Sequence, residues 1–434
     1  MKIISSYGVE ILRLHKPLKA TVEIYRKAVG YLLSVLDWEW EELSGIMDTK
    51  KRFNRAEHLV HQTKENDAKY PFDKAFPKMP SYLRRSAIQQ ALGDIASYHT
   101  RQEMWEKCRE GKPPVLSLGP CSMPVFYRDN MYREEDGETY LKLYQGKDWV
   151  WVQVKLSKTD REYLQKHWGG KKASAPVLEK RRKKYFLRFA YEETVCLPGK
   201  SPGEQVICGV DLGLNTDAVC SIMKADGTVA GRKFIGFPAE KDRLCHVLGR
   251  IRKKQGEQGP KSVCSLWKYA CRLNDGIAKM TAKAIVSFAA EHQADVIVFE
   301  HLSMKGKKTG KNAQKLHLWK KNSIQEICMH QAHRRGMRIS RVCAKNTSAY
   351  AFDGSGKVAR DPENHSLCTF TGGKRYNCDL SASYNIGARY FIRELIKTFP
   401  VTGRSMPEAE DPAAWRRTSC VHADLIRLWE MISV

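Results

Sequence analysis

Val206-Ile207-Cys208-Gly209-Val210-Asp211-Leu212-Gly213 is a short apolar run that ends on a carboxylate and then turns at a glycine. A run of this length, bounded by turn signals, is the pattern of a strand buried on both faces. Ala294-Asp295-Val296-Ile297-Val298-Phe299-Glu300 has the same form and also ends on an acid. Between the two runs, Ala218–Met223 and Arg232–Phe237 read as strands, and Glu240–Arg252 and Ser265–His292 as a long helical stretch. Beyond them come a helix over Leu316–Arg335, a strand over Arg338–Ala344 and a helix over Asp379–Lys397. Three strands in succession, followed by strands that alternate with helices, predict an RNase H-like α/β domain.

Upstream, Leu197-Pro198-Gly199-Lys200-Ser201-Pro202-Gly203 reads as a linker. Before it the pattern changes. Ile3–Leu14 reads as a strand, and helical spacing recurs over Thr21–Leu36 and again from Pro80, with Ser81 as the expected N-cap. Lys50–Lys69 is polar and basic, a further helix or a mobile loop. Glu138–Tyr144 and Trp149–Leu156 alternate with period two around Gln145-Gly146-Lys147-Asp148, which is hairpin chemistry, and Lys184–Val195 is another strand. Together they predict a small N-terminal β-barrel interrupted by a helical insert.

Composition narrows the function. The chain has 434 residues, 42% of them hydrophobic, and 74 Lys+Arg against 48 Asp+Glu leave a net charge of +26. Disordered, collagen-like and mucin-like classes are excluded. So basic a chain is expected to meet a polyanion, with nucleic acid ahead of an anionic membrane surface. No run of about 18 apolar residues is present, and the N-terminus lacks a signal-peptide pattern. The 13 cysteines are odd in number and several lie in apolar segments, which suits reduced thiols. The expectation is a soluble intracellular protein with its thiols reduced in a cytoplasm.

Asp211, Glu300 and Asp379 each have an ordinary explanation taken singly: strand-terminal charges for the first two, a helix N-cap for the third. Their joint placement in this element order supports a nuclease centre instead. Three carboxylates can hold two Mg²⁺ ions about 3.5–4 Å apart for in-line phosphodiester hydrolysis, and oxygen-only donors suit Mg²⁺ or Mn²⁺ rather than zinc. Asp211 would bridge the ions, with Glu300 and Asp379 completing one each.

Gly209-Val210-Asp211-Leu212-Gly213, Val298-Phe299-Glu300-His301-Leu302 and Asn377-Cys378-Asp379-Leu380-Ser381-Ala382-Ser383-Tyr384-Asn385-Ile386 resemble the three RuvC motifs of the TnpB family, RNA-guided DNA nucleases related to the miniature type V CRISPR effectors. The order Asp, Glu, Asp is similar to RuvC; DDE transposases place the Glu last. The resemblance spans Val206–Arg393, and Met79–Gln89 is similar to the family's recognition-lobe helix. It implies a Mg²⁺-dependent endodeoxyribonuclease with a wedge barrel in residues 1–20 and 111–200, a helical recognition domain in 21–110, a RuvC-like domain in 201–398 and a tail in 399–434. It further implies a guide RNA that selects complementary double-stranded DNA beside a short flanking motif, with the protein a monomer or homodimer on one guide. Asn385 matches a family Asn and is a candidate helper. Arg84, Arg85 and Gln89 are candidates for meeting the flanking motif.

One departure stands out. The family's zinc ribbon of two Cys-x-x-Cys pairs has no counterpart in residues 345–378, and the remaining cysteines nearby, Cys343, Cys368 and Cys378, have unsuitable spacings. The expectation is a degenerate ribbon without zinc. Two basic runs complete the candidate nucleic-acid surface. One contains Lys180, Arg181, Arg182, Lys183 and Lys184; the other Lys305, Lys307, Lys308, Lys320 and Lys321. Two other readings remain open: a guided DNA-binding repressor without cleavage, and a guide-independent structure-specific nuclease.

Overall fold

In the computed structural model, which describes residues 1–13, 15–109, 111–119, 122–197, 199–259, 263–301, 318–364, 366–402 and 418–433, two compact units divide at Glu193 and Thr194.

The N-terminal unit opens with β1 (Lys2–Leu12), whose alternation turns Ile3, Val9 and Ile11 inward. Five helices follow: α1 (His15–Trp38), α2 (Trp40–Gly45), α3 (Thr49–Val60), α4 (Phe72–Ala75) and α5 (Ser81–Cys108). The ambiguous basic segment is therefore helical only in its first half. Asp48 caps α3 by accepting from Lys51 N at 2.8 Å. Ser81 is not the cap of α5: Pro80 occupies that position, and the helix has no side-chain cap bond. Apolar stripes of α1 and α5 share a core through Leu32, Leu36, Leu83, Ile88 and Ile95, and Tyr25 Oη lies 3.2 Å from Ser86 Oγ inside it.

After the helices come β2 (Tyr132–Glu135), β3 (Glu138–Gln145), β4 (Asp148–Leu156), α6 (Lys158–Trp168), β5 (Val177–Arg181) and β6 (Lys184–Thr194). The sheet order is β2-β3-β4-β1-β6-β5, so β1 lies between strands from beyond the insert. The β3–β4 hairpin closes at Gln145 and Asp148, with Gly146 at a φ of 76° that L side chains rarely adopt. Pro124–Phe126 bonds to the start of β5, with Leu178 N donating to Pro124 O at 2.9 Å and Phe126 N to Pro176 O at 2.8 Å.

The C-terminal unit carries β7 (Val206–Asp211), β8 (Ala218–Lys224), β9 (Val229–Ile235), α7 (Pro238–Gln258), α8 (Cys264–Glu291), β10 (Val296–His301), α9 (Lys321–Arg334) and β11 (Arg338–Cys343). A small sheet of β12 (Ala359–Arg360), β13 (Leu367–Thr369) and β14 (Arg375–Asn377) precedes α10 (Cys378–Thr402), and α11 (His422–Ser433) comes last. The main sheet has the order β11-β10-β7-β8-β9. β10 is parallel to both β7 and β11, whereas β7, β8 and β9 pair antiparallel. β9 begins earlier than the sequence predicts, because the Asp226–Thr228 turn, with Gly227 at a φ of 84°, lets Val229 pair directly with Met223.

Period-two alternation divides the sheet between two cores. Cys208, Val210, Ile297 and Phe299 face α8 and α9, whereas Ile207, Val219, Val296 and Val298 face α10 and α11. Gly209 lies on the second face beneath α10, where a Cβ would stand 2.6 Å from Ser383 O. The small sheet lies against an apolar cluster of Ala351, Cys368, Phe370 and Cys378.

Candidate active site

The parallel register pairs Phe299 with Val210, so Glu300 and Asp211 stand side by side one residue further on, at the carboxyl ends of β10 and β7. Parity places both on the face covered by α10, with Ile207, Gly209, Val296 and Val298. Asp379 comes to the same place from the first turn of α10. It is not the cap of that helix. Asn377 Oδ1 accepts from Leu380 N at 2.9 Å, which leaves the Asp379 carboxylate uncommitted to the helix end.

The electrostatics are those of acids crowded without enough counter-charge. Burial, then the Glu300 and Asp379 carboxylates, push the Asp211 pKa well above the usual range, and Arg360 pulls against them. Burial raises Asp379, again opposed by Arg360. Burial also raises Glu300, opposed by a hydrogen bond from Thr347 and by the Arg389 charge. Among the described residues no three His, Cys, Asp or Glu side chains close into a metal cage by themselves. A partly buried, oxygen-only donor set nevertheless fits a hard divalent ion in chemical type.

Several groups around the acids, Asn385 excepted, are invisible to motif reading. Thr347 Oγ1 donates to Glu300 Oε1. Gln325 Nε2 donates to Glu300 O at 3.1 Å, while Gln325 Oε1 accepts from Arg341 Nε at 2.9 Å. Arg389 is buried and donates to the carbonyls of Cys343, Lys345, Thr418 and Cys420. Asn385 is fully buried and bonded to backbone on every side. Their roles depend on closeness in space, which no local pattern encodes. Cys378, beside Asp379, is a buried thiol hydrogen-bonded to Cys368, and its pKa is pushed up to about 12 chiefly by burial; Cys343 is exposed.

The candidate nucleic-acid contacts divide sharply. Arg84 does not face solvent: its side chain is 7% exposed and Nη1 donates to Asp73 Oδ1 at 3.1 Å. Arg85 is exposed, 4.9 Å over the Phe53 ring, and with Gln89, Tyr82 and Tyr127 it lines a cavity of about 820 Å³. In the β5–β6 hairpin, Arg181 bonds Glu179 at 2.7 Å and Lys184 bonds Glu10 at 2.8 Å. Lys180 lies 5.5 Å from the Tyr185 ring. Arg182 and Lys183 occupy the exposed hairpin tip. Lys320 bonds Asp275 at 3.1 Å, and Lys321 is buried beside Trp319, contrary to its expected exposure. Lys305, Lys307 and Lys308 lie outside the described residues.

The Aq_aa04 family model matches residues 5–145, less than half of the chain. No curated protein matches. Among solved structures, the chain is similar to Cas12f1 in a cryo-EM complex with sgRNA and target DNA, at 16% identity and a TM-score of 0.48, covering 78% of this chain and 74% of that one. It is also similar to CasPhi-2 (Cas12j) bound to crRNA and phosphorothioate-DNA, at 10% identity and a TM-score of 0.42, covering 94% and 92%. Among the described residues no helix is long and apolar enough to cross a membrane.

Proposed function

We propose that the chain is an RNA-guided DNA endonuclease, with an RNase H-like RuvC unit in its C-terminal half and a wedge barrel holding a helical recognition domain in its N-terminal half. The observation that carries this reading is the meeting of Asp211, Glu300 and Asp379 on one face at the ends of two adjacent parallel strands, with their carboxyl pKa values raised. Perturbed acids clustered in this way mark functional sites. The three RuvC-like motifs and the +26 charge add a nucleic-acid substrate.

Asp211, Glu300 and Asp379 would hold Mg²⁺ or Mn²⁺, which when bound supplies a water of lowered pKa and charge stabilisation for in-line phosphodiester hydrolysis. The protein's own part is to hold its acids in place. Rigid strands set the spacing of Asp211 and Glu300, and the Asn377 cap frees Asp379 to face them. Exposed Arg182 and Lys183 would contact phosphates, which adds affinity without sequence information. Arg85 and Gln89 line a cavity able to meet the flanking DNA, whereas Arg84 is withdrawn from that role.

The test begins with RNA that co-purifies from the native locus. A discrete species with a constant scaffold and a variable end is expected, and with it Mg²⁺-dependent cutting of complementary DNA. Asp211→Ala and Glu300→Ala are each expected to abolish cutting while guided DNA binding persists. Full activity in either variant overturns the site; heterogeneous RNA turns the reading to a guide-independent nuclease.

A further inference from the structure

We propose that Thr347 is a positioning residue for the catalytic centre: its hydroxyl fixes the rotamer of the Glu300 carboxylate, and Asn385 fixes Thr347. The inference rests on the role proposed above for Glu300.

Glu300 lies one residue before the end of β10 with its carbonyl held by Gln325, but that bond leaves the carboxylate free to rotate. Asp211 next to it is a like charge that favours rotation away. The group that opposes this is the Thr347 hydroxyl, donating to Oε1 from a residue 2% exposed. Thr347 is β-branched, so its own χ1 is restricted. Its backbone is pinned from α10, where Asn385 Nδ2 donates to Thr347 O at 2.9 Å and to Tyr350 O at 2.9 Å. Asn385 Oδ1 in turn accepts from His422 N at 3.1 Å, at the start of α11. Both amide hydrogens and the amide oxygen of Asn385 are thereby occupied. It acts through the loop it anchors, and the tail helix contributes to the anchoring.

A purely local role for Thr347 is the alternative, because its hydroxyl also lies 3.0 Å from Ala344 O. One hydroxyl carries one hydrogen, and an ionised carboxylate is the stronger acceptor. The hydroxyl hydrogen is therefore assigned to Glu300.

The experiment compares the full chain, stripped of nucleic acid in high salt, with its Thr347→Val, Thr347→Ser and Glu300→Ala variants. Binding of Mn²⁺ is followed by the EPR signal of the free ion, and melting is recorded without divalent ions. Thr347→Val is expected to weaken Mn²⁺ binding by about 10- to 100-fold, the usual effect of removing a ligand's supporting hydrogen bond. Thr347→Ser is expected to restore it. Wild-type binding by Thr347→Val alongside weak binding by Glu300→Ala overturns the positioning role and keeps Glu300 as a ligand. Undiminished binding by Glu300→Ala overturns both. If Thr347→Val also melts early, the Ser variant decides: restored binding supports the proposal, and weak binding in a folded Ser variant overturns it.

Discussion

Asp211 illustrates how a side chain can be costly to the fold and necessary to the site. Its pKa is raised by burial and by two neighbouring carboxylates, so the folded state holds its proton more tightly than the unfolded chain does. Such a group supports folding below its unfolded pKa of about 4, and that support is lost as pH rises through the elevated folded value. At neutral pH without divalent ions, the ionised cluster is therefore a net strain. Asp211→Asn is expected to melt at a higher temperature than wild type under those conditions, with the gap growing as pH is raised from about 4 toward neutrality. Mg²⁺ should stabilise wild type more than the variant, since a ligand that binds the native state alone raises its melting temperature. Thermal melts across pH, with and without Mg²⁺, check this; a variant that melts below wild type at neutral pH refutes it. Arg84 illustrates the opposite assignment. A cation on a basic helix invites a phosphate contact, yet Asp73 from the short helix α4 claims it, and no periodicity foretells that pairing.

At the scale of elements, the close crossing of β7 and α10 sets where Asp379 meets Asp211. Gly209 permits it, because a Cβ there would lie 2.6 Å from the Ser383 carbonyl, a backbone atom that cannot swing aside. Gly209→Ala is expected to lift α10 from the sheet, costing about 1–3 kcal/mol as overpacking does, and to slow cleavage by displacing Asp379. Denaturant melts and single-turnover rates test it, and an unchanged rate would show that the crossing does not set the site. The apolar runs that become β7 and β10 were readable in the sequence because strands buried on both faces leave continuous hydrophobic stretches. Their terminal acids stood out against those runs. Thr347, Arg360 and Arg389 did not, since a polar residue in a loop or an Arg on a helix gains its meaning from what folds against it. The boundary of β9 and the cap of α5 were displaced by local turn chemistry: a positive-φ glycine in one case, a proline in the other.

The whole molecule carries +26, but a net charge does not say which cations are available to a phosphate backbone. Counting along the chain, the run from Lys171 to Arg188 has one acid to offset it. In three dimensions Glu10 pairs with Lys184, and Glu179 is shared by Arg181 and Arg188. Exposed charge remains where the β5–β6 hairpin turns, at Arg182 and Lys183. This distribution predicts a divided response in the salt dependence of nucleic-acid binding. Each phosphate contact contributes about 0.9 to the slope of log affinity against log salt. Arg182→Ala with Lys183→Ala is therefore expected to lower the slope by about 2 and weaken binding uniformly across sequences. Arg181→Ala with Lys184→Ala removes cations already paired to carboxylates, so the slope should barely move. Filter-binding titrations between about 50 and 200 mM salt distinguish the pairs. Equal slopes for both double variants would mean that the intramolecular ion pairs open when nucleic acid arrives, and that the hairpin engages the polyanion along its whole length.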